Sequence, residues 1–256
     1  MPVDDDQPKQ TIPSVWTRPQ RRKREQPTLS RDQIVSVALE LLDADGIDAL
    51  SMRKLGTRLN AGATSLYTHV ANKDELIELV VDEIYGEIEV PGADTADMRT
   101  EWRSAVTSCA QSLRSVFHRH PWIVSALGEA GVVSLGPNAM RLSEGMLAVF
   151  EEAGFSLEQA DLAVNAVVSY AIGVSTTEAA WLSRLARSGL SEQEGVDSLW
   201  PAAEQAAQAY PRLRRLYATQ HVQDSGGTRN DNFGDGLDCV LDGLEIRLRR
   251  TRGAAD

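Results

Sequence analysis

Residues 62–76 read GATSLYTHVANKDEL, and this one stretch holds Thr64, Ser65, Tyr67, Thr68, His69 and Lys73, with Ser51 and Arg53 shortly before it. Hydroxyls, a phenol, an imidazole and cations share one chemistry: they donate hydrogen bonds and positive charge to an anionic surface, phosphate oxygens above all. The small Ala63 at the head of the row lets a backbone approach base edges closely. Other chemistries find less support. No GxSxG, no P-loop and no GxGxxG is present, so no enzymatic activity is expected, although carboxylate pairs are numerous in so acidic a chain. Cys109 and Cys239 lie far apart without a CxxC partner and read as buried thiols of a reducing compartment. His118 and His120 diverge at i, i+2 on a helix and have no zinc-like spacing around them, so neither a metal nor a cofactor is expected.

Charge is unevenly spread over the 256 residues, whose formal net charge is -11. Residues 1–73 carry 11 Lys/Arg against 9 Asp/Glu, and residues 74–256 carry 15 against 28. Within the first part, WTRPQRRKREQPTLSR (16–31) gathers Arg18, Arg21, Arg22, Lys23, Arg24 and Arg31 against Glu25 alone. Such a block is either a polyanion-binding arm or a solvated tail. The remainder is too acidic to serve as a second DNA surface. The acidic, polar start does not resemble a signal peptide, and no run of about 18 apolar residues could span a bilayer, so a soluble cytoplasmic protein is expected.

The elements that position the polar row follow from periodicity and caps. Residues 1–28 contain five prolines and no apolar period, which predicts a flexible arm. Ser30 caps a helix with Ile34, Val37, Ala38, Leu41 and Leu42 on one face, ended by Gly46. Ser51 caps MRKLGTRL, NAG (60–62) turns the chain, and a short helix over about 63–70 points Leu66 and Val70 inward. Asn72 caps the next helix, whose stripe is Leu76, Leu79, Val80 and Ile84. PGAD (91–94) marks a boundary. Further helices are predicted at about 97–118, 121–128, 137–153, 157–187, 199–220 and 234–250, with DSGGTRNDN (224–232) as a flexible connector. No segment alternates as a strand does, so the predicted fold class is all-α. Two short helices around a three-residue turn match a helix-turn-helix, whose second helix enters the major groove, but purely structural helical hairpins share this geometry.

The run ALSMRKLGTRLNAGATSLYTHVANKDELIELVVDEI, with Leu66-Tyr67-x-His69-Val70-x-Asn72-Lys73 at its centre, resembles the DNA-binding region of the TetR family of bacterial transcriptional regulators. GPNAMRLSEGMLAVFEEAGFSLEQADLAVNAVVSYAIG is similar, more weakly, to the ligand-binding domain of its tetracycline-repressor-like branch, common in actinobacteria. The resemblance implies a flexible basic arm over 1–28, a helix-turn-helix domain over 29–75, and a helical ligand-binding and dimerisation domain over 76–256. It further implies a homodimeric repressor released from a palindromic double-stranded operator by a small molecule, with no membrane partner. Arg53 stands where a base-reading or phosphate-binding arginine often lies, Thr64 and Ser65 at early recognition-helix contacts, Tyr67 and Lys73 at phosphate contacts, and His69 near the groove wall, where a packed histidine is the other reading. Ser51, Ala63 and Thr68 complete that surface, though Met52 and Thr68 depart from the family's usual residues. In this setting Arg18, Arg21, Arg22 and Arg24 become candidates for an adjacent minor groove.

Two tasks remain for the acidic part. Leu157, Leu162, Val164, Val167, Val168 and Ile172, with Leu237, Val240, Leu241, Leu244 and Leu248, could form a four-helix interface across a twofold axis, or pack within one subunit. His120, Trp122, Asn165, Tyr170, Glu178 and Trp181 are polar or aromatic groups among apolar helices, the usual make-up of a small-molecule site. An effector-independent architectural DNA protein and, further off, a helical enzyme are the competing readings.

Overall fold

Ser30 caps the first helix reciprocally: its hydroxyl accepts from the Gln33 amide while the Gln33 side chain accepts from the Ser30 amide. The computed structural model describes residues 29–90, 98–130, 135–220 and 225–253; the arginine-rich arm and the PGAD boundary lie outside these. Among the described residues the elements are α1 (Arg31–Asp45), a 3₁₀ turn (Ile47–Ala49), α2 (Met52–Arg58), α3 (Ala63–Tyr67), α4 (Lys73–Gly86), α5 (Met98–Arg119), α6 (Ile123–Ala130), α7 (Pro137–Glu152), α8 (Leu157–Ser188), α9 (Glu192–Ala207), α10 (Pro211–Gln220) and α11 (Ser225–Gly253), with no strand. They fall into two compact units. One contains the described residues of Met1–Gly86 and Ser125–Met140, the other those of Glu87–Val124 and Arg141–Asp256. The boundary expected at 75/76 falls inside α4.

The first unit is built on α1. Ile34, Ala38, Leu41 and Leu42 are buried against Leu55, Leu66, Val70, Leu76, Val80 and Ile84, all at 1% exposure or less, while Val37, Leu59 and Ala61 are only half-buried. Burying side chains of this size contributes about 1.5–3 kcal/mol each, which is what holds so short a helix as α3 in place. The turn before α3 falls at NAG (60–62), as expected, with Asn60 rather than Gly62 supplying its left-handed residue. Asn60 takes the left-handed conformation (φ 49°), which Asn tolerates, while Gly62 has an ordinary φ of -67°. The third helix is also shorter than 63–70. Beyond Tyr67 its last turn survives as the Thr68 amide donating to the Ser65 carbonyl at 3.3 Å and the His69 and Val70 amides donating to the Leu66 carbonyl, and the Thr68 hydroxyl donates to the Ser65 carbonyl at 2.6 Å.

In the second unit the aromatic knot of Trp102, Phe150 and Phe155 has ring centroids 5.3–5.7 Å apart. Three predicted boundaries move. The helix expected over 199–220 is two helices: α9 starts seven residues earlier because Ser191 and Glu194 form a capping box, and the chain breaks before Pro211, which cannot donate to a continuing helix. The expected connector 224–232 is helical from Ser225 onward. Tertiary partners account for this: Arg229 reaches Glu192 at 3.1 Å, and Tyr170 donates to the Phe233 carbonyl at 2.9 Å. The apolar stripes divide as well. Val167, Leu237, Leu241, Leu244 and Leu248 are buried inside one subunit, whereas Leu157 (54% exposed), Leu162 (59%) and Ile246 (49%) face outward.

Candidate nucleic-acid interface and ionic core

On the head, α2 and α3 are presented by the buried leucines beneath them. Ser51 caps α2, its hydroxyl accepting from the Lys54 amide at 3.2 Å, so Arg53 is exposed in that helix's first turn. Thr64, Ser65, Tyr67 (51% exposed) and Thr68 form an outward row on and just after α3, with Ala63 as the helix's first residue. His69 is half-buried, and its backbone carbonyl accepts from Arg31 Nη2 at 3.4 Å. Lys73 Nζ donates to the Ile47 carbonyl at 3.0 Å, so this cation closes the 3₁₀ turn from the start of α4. Arg18, Arg21, Arg22 and Arg24 lie outside the described residues. Rigid elements thus place a polar, hydroxyl-rich edge in one row, and a packed hydrophobic base removes the freedom that docking would otherwise have to freeze out.

In the second unit, two of the six expected ligand residues converge on a buried ionic cluster. Glu178, 8% exposed, receives Arg114 in bidentate fashion, Nε to Oε2 at 2.6 Å and Nη2 to Oε1 at 2.7 Å. His118 Nε2 lies 2.9 Å from Oε2, and Arg229 Nε is 4.0 Å from Oε1. The Arg114 guanidinium rests on the Phe233 ring, 4.6 Å from its centroid, and Tyr170 packs against the same ring at 5.6 Å. A Cβ on Gly236 would overlap the Tyr170 hydroxyl, so that glycine makes room for the ring. Burial pushes the His118 imidazole below 6.5; Glu178 pulls the other way, and Arg114 and Arg229 add to the fall. Burial also raises the Tyr170 phenol, with Glu178 acting in the same direction.

The other four residues lie elsewhere. His120, 7% exposed, places Nε2 3.3 Å from the Glu87 carboxylate, which also receives Arg119 at 2.6 Å. Burial alone would raise the Glu87 carboxyl, but Arg119 and His120 hold it below its ordinary range. Trp122 is buried, Trp181 is half-buried beside Gly195, and Asn165 is exposed with its amide turned back to the Asp161 carbonyl. Arg114, Arg229 and Phe233 were not anticipated. Arg229 and Phe233 are brought in by α11. Among the described residues no group of three or more His, Cys, Asp or Glu is placed to hold a metal, and no helix is long and apolar enough to cross a membrane.

A trihelical unit presenting a short, outward-facing helix, in a chain that also holds a larger all-helical unit, is the arrangement of a helix-turn-helix DNA-binding regulator. Comparison with known proteins makes the assignment definite. Residues 34–80 match the model of bacterial regulatory proteins of the tetR family, and residues 95–248 match the tetracyclin repressor-like C-terminal domain. The HTH-type transcriptional repressor DrrR1 of Streptomyces coeruleorubidus is 31% identical over 246 residues, 95% of this chain and 87% of that protein. An HTH-type transcriptional regulator of Saccharopolyspora erythraea is 41% identical over 168 residues, 66% and 69% of the two chains. ActR of Streptomyces coelicolor, in its crystal structure with actinorhodin, superposes with a TM-score of 0.70 at 30% identity, covering 86% of this chain and 98% of that one. The chain belongs to the TetR family: it is a DNA-binding transcriptional regulator and not an enzyme.

Proposed function

We propose that the chain is a homodimeric repressor that grips a palindromic operator through α3 and lets go when a small molecule enters its second unit. The observation that carries the DNA half is the exposed row Thr64, Ser65, Tyr67 on a helix whose opposite face is fully buried. In this reading Arg53, Thr64 and Ser65 meet base edges or nearby phosphates, and Ser51, Ala63, Tyr67, Thr68, His69 and Lys73 line the contact. Arg18, Arg21, Arg22 and Arg24 follow the adjacent minor groove. DNA binding is assigned to 29–75, effector binding and dimerisation to 76–256. The protein acts in the cytoplasm, where its DNA is.

Support for the dimer comes from Leu157, Leu162 and Ile246, apolar side chains of α8 and α11 left uncovered in one subunit. A twofold axis there would set two copies of α3 about 34 Å apart, one turn of DNA. Support for an effector comes from ActR, a relative crystallised with actinorhodin and with (S)-DNPA. Of the six expected residues, Tyr170 and Glu178 are assigned to that site as its polar anchor; His120, Trp122, Asn165 and Trp181 lie apart from it. Operator and effector then prefer different arrangements, so each weakens the other's binding.

The test is a gel shift on duplex DNA from upstream of the protein's own gene, repeated with actinorhodin added as probe. Retardation that is salt-sensitive and competed by specific DNA supports the reading, and removal of residues 1–25 should flatten the salt dependence, each lost phosphate contact contributing about 0.9 to the log-log slope. Failure to retard any such duplex at low ionic strength would falsify it.

A further inference from the structure

Asp82, on α4, is 6% exposed, and the groups that hold its carboxylate come from another helix. Oδ1 accepts from the Ala139 amide at 3.0 Å, and Oδ2 accepts from the Asn138 amide at 3.4 Å and from Asn138 Nδ2 at 3.3 Å. Asn138 and Ala139 are the second and third residues of the sixteen-residue α7. The carboxylate therefore sits on the positive end of that helix and takes up two of its orphan amides. Two glycines permit the approach. A Cβ on Gly136 would overlap the Asp82 carboxylate, and one on Gly86, a turn further along α4, would come within 3.2 Å of the Asn138 side chain. Both partners lie in the first unit, and α7 runs on past Met140 into the second.

We propose that this joint is a latch and that Asp82 is a positioning residue for regulation: it holds α4, and with it Lys73 and the α3 helix just before, in the arrangement that grips DNA. The inference rests on the repressor reading above. Hydrogen bonds of this kind are made or lost over about 1 Å of displacement, and an opened joint leaves a buried carboxylate without its amides, so the contact has two states and no useful intermediate. Whatever moves the first turn of α7 opens the latch and weakens DNA binding. By reciprocity, DNA binding must tighten the latch.

The experiment is hydrogen exchange at the Asn138 and Ala139 amides, with and without the upstream duplex, alongside duplex Kd, in the wild type, Asp82→Asn and Val80→Ala. Asn keeps the shape but loses the charge; Val80→Ala weakens the core of the same helix without touching the joint. Expected are slower exchange at both amides in the wild type on adding duplex, and roughly tenfold faster exchange with a several-fold higher Kd in Asp82→Asn, the loss of about one charge-assisted hydrogen bond. Val80→Ala should shift Tm without the coupled exchange response changing. The latch is overturned if duplex leaves those amides unaffected in a wild type that binds it, or if Asp82→Asn binds as tightly as the wild type. A wild type that binds no duplex sinks the repressor reading itself.

Discussion

Replacing Glu178 by Gln perturbs the most enclosed charge of the second unit. The carboxylate is 8% exposed and its Arg114 partner 11%, so solvent screens neither. Gln keeps one acceptor for Arg114 but removes the negative charge, leaving the Arg114 guanidinium buried without its counter-charge, while Arg229 keeps Glu192 at 3.1 Å. Breaking such a pair from one side costs about 3–5 kcal/mol, chiefly because the survivor cannot be rehydrated. Retention of one hydrogen bond places Glu178→Gln at the lower end, about 3 kcal/mol, and at about 2–4 °C per kcal/mol for a domain of this size Tm should fall by roughly 6–12 °C. Calorimetry at pH 8, where His118 is neutral, measures this directly. The exposed pair Lys54–Asp45, 2.7 Å apart with 43% and 45% exposure, is the control and should show no resolvable change on Lys54→Ala. Arg114→Met combined with Glu178→Gln should cost less than the sum of the single changes, since no charge is then left alone. A Glu178→Gln protein within about 1 kcal/mol of wild type would mean that the cluster is hydrated or open, and the case for a dry ionic anchor beside Tyr170 would be lost.

Other consequences can be checked with the same material. Gly56→Ala puts a Cβ 2.9 Å from the Ala61 carbonyl oxygen and 3.4 Å from Leu66 Cδ1, a backbone clash that cannot relax cheaply; a loss of about 1–3 kcal/mol and of duplex binding is expected, and an unchanged Tm would contradict it. Tyr67→Phe, at an exposed position, should leave Tm alone and raise duplex Kd about fivefold, the weight of about 1 kcal/mol for one phosphate hydrogen bond, whereas Arg53→Ala should also lower the salt slope by about 1. Because burial holds the folded His118 below 6.5, the unfolded chain binds that proton more tightly. Its contribution is complete above pH 6.5 and lost as pH falls through the folded value, so Tm should drop from pH 8 to 5.5 and His118→Gln should shrink the drop.

Much of the head could be read along the chain because its determinants are local. Ser30, Ser51 and Asn72 cap the helices on which they were placed, the last accepting from the Glu75 amide at 2.8 Å, and Leu55, Leu66 and Val70 are buried as their spacing requires. Caps and a 3.6-residue period act over one or two turns, so composition and order are enough to reveal them. The resemblance carried by Leu66 to Lys73 then led to the right family for the same reason: the motif is contiguous.

What needed the tertiary structure was pairing between distant segments. Nothing near residue 225 announces a helix in a stretch with two glycines and an Asp-Ser start; its first turns are held by Glu192, Tyr170 and Arg114, which lie 33 or more positions away in the chain. For the same reason Glu178 was recognisable as a polar group on an apolar helix, but not as the acceptor of Arg114 and His118. Asp82 carries no local mark of its role, which depends on the fold setting the first turn of α7 against it. Sequence alone therefore determined which helices exist and which face of each is apolar, since those are short-range balances of propensity and burial. Only the folded chain decided where each buried charge finds its partner, because a desolvated ion depends on whatever the fold brings within about 3 Å of it.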